Sequence, residues 1–286
     1  MRQHPSITRE DVMSWGTILV GVDATPSGQA ALAFTRAVAA RTHSAYRIVH
    51  VVADPRATPT SEQDVRRMLG PAQADLVVRH GAPAAILASE AAQINAKLIV
   101  VGGKHHSLIG RWMTGSTALE LVRHAAVPVL IVRGEPSGVG RVLAAVDLTG
   151  AAGSTIAEAE RWAALWEAPL RVVHAIEPMV VVSEMAVPLD VGVERAREER
   201  DLAEQVWPLL GRSPAERVVR DGPAAGVLDQ EVRDWGADLL VLGRHARGWL
   251  ERVMLGSVTE RLLEMLPTSI LVVPDRREPR TGAAQG

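Results

Sequence analysis

Two constellations of residues recur along this chain, and both suit the binding of an anion. Each begins with an aspartate behind an apolar run, Asp23 after Thr17–Val22 and Asp147 after Arg141–Val146. Further on, each has a glycine ending another apolar run (Gly102 or Gly243), then a loop of about a dozen residues, then Gly115-Ser116 or Gly256-Ser257 opening a helical pattern. A Gly-Ser pair at a helix start offers bare backbone N–H groups, a hydroxyl and the positive helix end, for which phosphate is the natural ligand. Each residue also has a plainer reading. The aspartates could cap the following helix, the first glycines could serve a tight turn, and Ser116 and Ser257 could be ordinary N-caps. Arg111 and Arg252, four residues before each Gly-Ser, suit either a phosphate contact or an exposed salt bridge.

Other chemistries lack their signatures. No G-x-x-x-x-G-K-[S/T] loop occurs, and neither of the lysines, Lys97 and Lys104, could complete one. A G-x-S-x-G nucleophile elbow is missing, as is G-x-G-x-x-G after the first apolar run. The chain has no cysteine, and its adjacent His105 and His106 lack the spacing of a metal pair, so no metal site and no catalytic residue are expected. His50 and His174 sit inside apolar runs and read as structural histidines. Trp162, Trp166 and Trp207 read as core, and the charge run Glu194–Glu204 as a solvated helix face.

The elements that must position these residues come in two sets. Tyr46–Val51 returns as Leu170–Ala175, Val77–Gly81 as Val218–Gly222, Lys97–Gly102 as Asp238–Gly243, Arg111–Ser116 as Arg252–Ser257, and Val129–Val132 as Ile270–Val273. Recurrence in one order is a tandem duplication. Short β-branched runs (Ile18–Val22, Ile48–Val52, Leu98–Val101, Val129–Val132) alternate with alanine-rich helical stretches (Ser27–Thr42, Ala82–Asn95, Ser116–Ala125). The expected fold is therefore α/β: two tandem doubly wound, Rossmann-like domains over residues 15–134 and 139–275, each with a five-stranded parallel sheet. Arg133–Gly140 reads as the linker and the tail from Arg276 as disordered. The second copy carries extra residues between about Glu177 and Glu199, a long charged helix over Val191–Leu210, and an apolar stretch, Met179–Leu189, read as cover for a cleft or partner surface.

Five runs, the aspartate, the V-H-V of the second run and the spacing after the fourth resemble the universal stress protein family, across residues 15–133 and 139–274. Nucleotide-binding members of that family carry G-x2-G-x9-G-[S/T] after strand 4. The copies read Gly102-x2-His105-x9-Gly115-Ser116 and Gly243-x2-Ala246-x9-Gly256-Ser257, so the middle glycine is replaced in both. The resemblance implies that Asp23 and Asp147 contact the nucleoside and that Val51 and Ala175 pack on adenine. It also implies that Gly102, His105, Gly115, Ser116 and Thr117, with Gly243, Ala246, Gly256, Ser257 and Val258, surround the phosphates. The second copy is the safer site at the phosphate loop, and the first has the bulkier adenine shelf. The implied cofactor is ATP, or AMP or ADP, with or without Mg, and the implied role is stress sensing or signalling with at most slow ATP hydrolysis. A nucleotide-free interaction module of the same fold is the competing reading.

At 286 residues, with 47% hydrophobic and 22% charged residues, the chain can fill two cores. A formal net charge of -2 argues against a nucleic-acid partner. The charged N-terminus, the lack of long apolar runs and the missing cysteines point to a cytoplasmic protein away from membranes. Val129–Val132 and Ile270–Val273 are exposed-edge candidates, expected to pair either with each other as an internal pseudo-dimer or between chains as a homodimer.

Overall fold

A computed structural model describes residues 15–53, 60–70, 76–106, 111–113, 115–134, 136–148, 150–177, 191–211, 213–244 and 255–274. The first half runs β1 (Thr17–Gly21), α1 (Pro26–Thr42), β2 (Tyr46–Val52), α2 (Thr60–Leu69), β3 (Leu76–His80), α3 (Pro83–Gln93), β4 (Ala96–Gly102), a hairpin of β5 (Lys104–His106) and β6 (Arg111–Met113), α4 (Ser116–His124) and β7 (Val129–Val132). The second runs β8 (Val142–Ala145), α5 (Ala152–Trp166), β9 (Leu170–Ile176), α6 (Val191–Asp201), β10 (Glu216–Asp221), α7 (Ala224–Trp235), β11 (Leu239–Gly243), α8 (Ser257–Met265) and β12 (Ser269–Val273).

Each half contributes five parallel strands, and the ten form a single sheet ordered β10-β9-β8-β11-β12-β7-β4-β1-β2-β3. The join is antiparallel, Ile270 opposite Ile131, Leu271 opposite Leu130 and Val272 opposite Val129. Every residue of β7 and β12 is buried, so the two expected edges cover one another within the chain. Alternate side chains of each strand feed two cores. Ile18, Val20, Leu130 and Leu271 face α1, α2 and α5, while Leu19, Val129, Ile131 and Ile270 face α3, α4, α7 and α8.

An aromatic cluster welds the halves on the first face. Trp162 is fully buried; its ring meets Trp15 edge-on at 4.8 Å and stacks on Phe34 at 6.1 Å, and Trp166 stacks on Phe34 at 5.8 Å. The connection read as a linker is tied down as well. Gly140 and Arg141 donate their backbone N–H groups to Asp238 Oδ2 at 2.8 and 3.0 Å. Arg133 donates its guanidinium to Pro267 O at 2.7 Å, and burial lowers its pKa from the ordinary value.

Two details differ from the sequence reading. The single helix expected over 191–210 is α-helical to Asp201, a π-turn over Leu202–Val206 and a 3-10 turn over Trp207–Leu210. Pro208 has no N–H and its ring collides with the preceding turn, which breaks the α pattern there. The loop after Gly102 holds the β5–β6 hairpin, with His105 opposite Trp112. Met179–Leu189 and the tail from Arg276 lie outside the described residues.

Candidate functional site

Both clefts open where the doubly wound topology places ligands, beyond the carboxyl ends of the strands. In the first half, β1 delivers Asp23, β2 delivers His50 and Val51, β4 delivers Gly102, and the start of α4 adds Gly115, Thr117 and Ala118 around a cavity of about 150 Å³. In the second, β8 leads to Asp147, β9 delivers His174 and Ala175, β11 delivers Gly243, and α8 adds Gly256, Ser257, Val258, Thr259 and Glu260 around about 470 Å³. Sites for drug-sized ligands measure roughly 300–1,000 Å³, so only the second is in range.

The helix starts carry the anion-binding geometry. Gly115 and Gly256 are extended N-cap residues with no side chain to cap the helix, which makes Ser116 and Ser257 the first helical residues and not N-caps. The first intrahelical bonds are those from Leu119 N to Gly115 O (3.1 Å) and from Glu260 N to Gly256 O (2.8 Å). The amides of residues 116–118 and 257–259 therefore have no acceptor on their own helix. Thr259 Oγ1 donates to Gly243 O at 2.9 Å and braces α8 against the end of β11. Ala118 holds the matching place in the first half and has no such donor.

Asp23 makes a local turn: its Oδ1 accepts from Thr25 N at 3.2 Å and from the Thr25 hydroxyl. The cap of α1 is Thr25, whose oxygen accepts from Gly28 N at 3.3 Å. Gly28 and Gly102 are required by close approach, since a Cβ would come within 2.3 Å of Asp23 O and 2.4 Å of Ser27 O. The second half has Ala152 at the first of these places, so its helix cannot begin that close to the aspartate. Gly81 and Gly222, at φ of 132° and 135°, need glycine in both halves to turn into α3 and α7.

The two strand histidines differ. His50 Nδ1 and His174 Nδ1 each lie 2.9 Å from the carbonyl just past β1 or β8, that of Val22 or Val146. His174 Nε2 also meets Glu198 Oε2 at 3.2 Å, whereas His50 Nε2 is buried with no partner among the described residues. Glu198 thereby corrects the reading of Glu194–Glu204 as a wholly solvated face: its carboxylate turns inward and lines the second cleft. Glu177 lines it too, accepting from Ala224 N at 2.9 Å, and Glu260 pairs with Arg123 at 2.6 Å. The second cleft therefore carries Asp147, Glu177, Glu198 and Glu260 against Asp23 alone in the first.

Of the residues expected at the two sites, the structure gathers Asp23, Val51, Gly102, Gly115 and Thr117 around one cavity and Asp147, Ala175, Gly243, Gly256, Ser257 and Val258 around the other. Ser116 begins α4 and does not line the first cavity. His105 and Arg111 are placed by backbone only, and Ala246 and Arg252 lie outside the described residues. Glu177, Glu198 and Glu260 were not anticipated. The matching positions in the first copy include Ala53 for Glu177 and Leu119 for Glu260, and this departure within the repeat was the signal available. Among the described residues, no group of three His, Asp or Glu side chains could hold a metal ion, and no helix is long and apolar enough to cross a membrane.

A model of the universal stress protein family matches residues 14–133 and 138–274. A universal stress protein of Mycolicibacterium smegmatis is 30% identical over 189 residues, covering 64% of this chain and 63% of that protein. One from Mycobacterium tuberculosis is 29% identical over 186 residues, covering 62% and 61%. These alignments thus span less than two thirds of the relatives' own length. Among solved structures, a universal stress protein from Pseudomonas aeruginosa superposes with a TM-score of 0.68 at 19% identity, covering 92% of this chain and 94% of that one. Another from Archaeoglobus fulgidus reaches 0.63 at 16%, covering 90% and 98%. These last two likenesses are of fold alone. With the family model spanning both repeats of the duplicated unit, this chain belongs to the universal stress protein family, as a tandem two-domain member.

Proposed function

We propose that the chain is a stress-sensing or signalling protein that binds an adenine nucleotide, ATP or AMP, in the second of its two units, residues 139–275. The observation that carries this reading is the 470 Å³ cleft into which Asp147 and the uncapped start of α8 both converge. Backbone amides aligned with a helix axis bind anions without any lysine or P-loop. Asp147 is placed for the ribose or base, and Ala175 leaves room for the ring. The first unit, residues 15–134, is the supporting half, because its cleft of about 150 Å³ falls below the roughly 300–1,000 Å³ usual for small-molecule sites.

Equilibrium dialysis with labelled ATP and AMP tests this on wild type and Gly256→Asp. An aspartate at an extended N-cap position is well tolerated. Its carboxylate would take the amides meant for phosphate, so affinity should fall at least about tenfold. Absence of binding by wild type at millimolar nucleotide would overturn the proposal and favour a nucleotide-free interaction module.

A further inference from the structure

The two residues that flank the second phosphate loop, Arg244 after β11 and Glu260 in the first turn of α8, both bond to the end of α4 in the first half. At the loop's first residue, Arg244 Nη1 donates to Ala125 O at 2.9 Å and lies 3.5 Å from Arg123 O, covering carbonyls at the end of α4. In the first turn of α8, Glu260 accepts from Arg123 Nη2 at 2.6 Å, a contact between residues 137 apart in the chain. The matching residues in the duplicated unit are Gly103, Leu119 and Glu264. Gly103 carries no side chain, and Leu266 Cδ2 fills the space where a Cβ would stand. Leu119 is uncharged, and Glu264 pairs with Arg261 on its own helix at 3.0 Å.

We infer that Arg123 is a positioning residue for the second cleft: supplied by the first half, it neutralises and holds Glu260 so that the amides of 257–259 remain open to the phosphates of a nucleotide. Glu260 follows those amides directly and lines the cavity, so its charge repels an anion seated there. A carboxylate in the first turn also satisfies the positive helix end for which phosphate competes. Arg123 cancels much of that charge. The pair is about two-fifths exposed on each side, so it adds little to folding stability. Its effect is on the field at the ligand.

The inference rests on the second cleft being the nucleotide site. Calorimetric titration with ATP and with adenosine, on wild type, Arg123→Gln, Glu260→Gln and the double variant, tests it. At low salt Arg123→Gln should bind ATP about fivefold more weakly, a unit charge acting through a partly screened path. Adenosine, which has no phosphate, should bind within twofold of wild type. Glu260→Gln should match or exceed wild type for ATP, the double variant should behave like Glu260→Gln, and the Arg123→Gln deficit should shrink at high salt. ATP binding unchanged in Arg123→Gln, or ATP and adenosine lost together, overturns the inference and leaves the nucleotide site standing. Wild type binding neither ligand overturns the nucleotide site, and this inference with it.

Discussion

The two clefts stand on the same strands and helices yet measure about 150 and 470 Å³. Two pairs of matching wall residues account for part of the difference, Val51 against Ala175 and Pro83 against Ala224. The tight start of α1 at Gly28 is relaxed at Ala152, which adds to it. The methyl groups for which Val51 was expected to be the bulkier shelf are thus among those that line the smaller cleft. Charge diverges as well, with four carboxylates around the larger cavity and one around the smaller. Duplication leaves two copies of a frame, and side-chain size and charge at its open end can then separate binding from support.

The largest effect expected concerns what unites the halves. Trp162→Ala, which empties a fully buried site between Phe34 and Trp15, should cost about 3–5 kcal/mol in urea unfolding. Separate transitions for the two halves in the wild type would break the picture of one welded sheet. Next comes the placement of function: Gly256→Asp should abolish most ATP binding while Gly115→Asp leaves it intact, and the reverse pattern would exchange the roles of the clefts. Widening the smaller cavity with Val51→Ala and Pro83→Ala together should raise nucleotide stoichiometry from one toward two per chain, as read by dialysis. An unchanged stoichiometry would show that volume is not what separates the clefts. The smallest effect should come from Glu198→Gln, which removes one carboxylate from the second cleft and should strengthen ATP binding by about twofold without altering adenosine binding. A loss of ATP affinity there would mean that the His174–Glu198 pair shapes the cleft more than its charge opposes the ligand.

Much of the frame was legible residue by residue. Apolar runs such as Ile18–Val22 announced strands buried on both faces, and the return of Val77–Gly81 as Val218–Gly222 marked the same strand in each copy. Asp23 and Asp147 were placed at the right strand ends because strand, turn and helix signals all act within a few residues. The inward turn of Glu198 was not legible. A charge run on an amphipathic helix says nothing of which face a neighbouring strand will meet, and the break before Pro208 alters that face. Nor could the sequence choose between pairing Val129–Val132 with Ile270–Val273 of the same chain or of another, since both arrangements bury the same apolar edges.

By itself the sequence determined the duplication, the five parallel strands of each half and the family, because periodicity and turn chemistry are local and the repeat prints them twice. Tertiary structure alone decided which cleft has room, which carboxylates face it and that Arg123 of one half reaches Glu260 of the other. Volume and electric field at a site are sums over side chains that only long-range packing brings together.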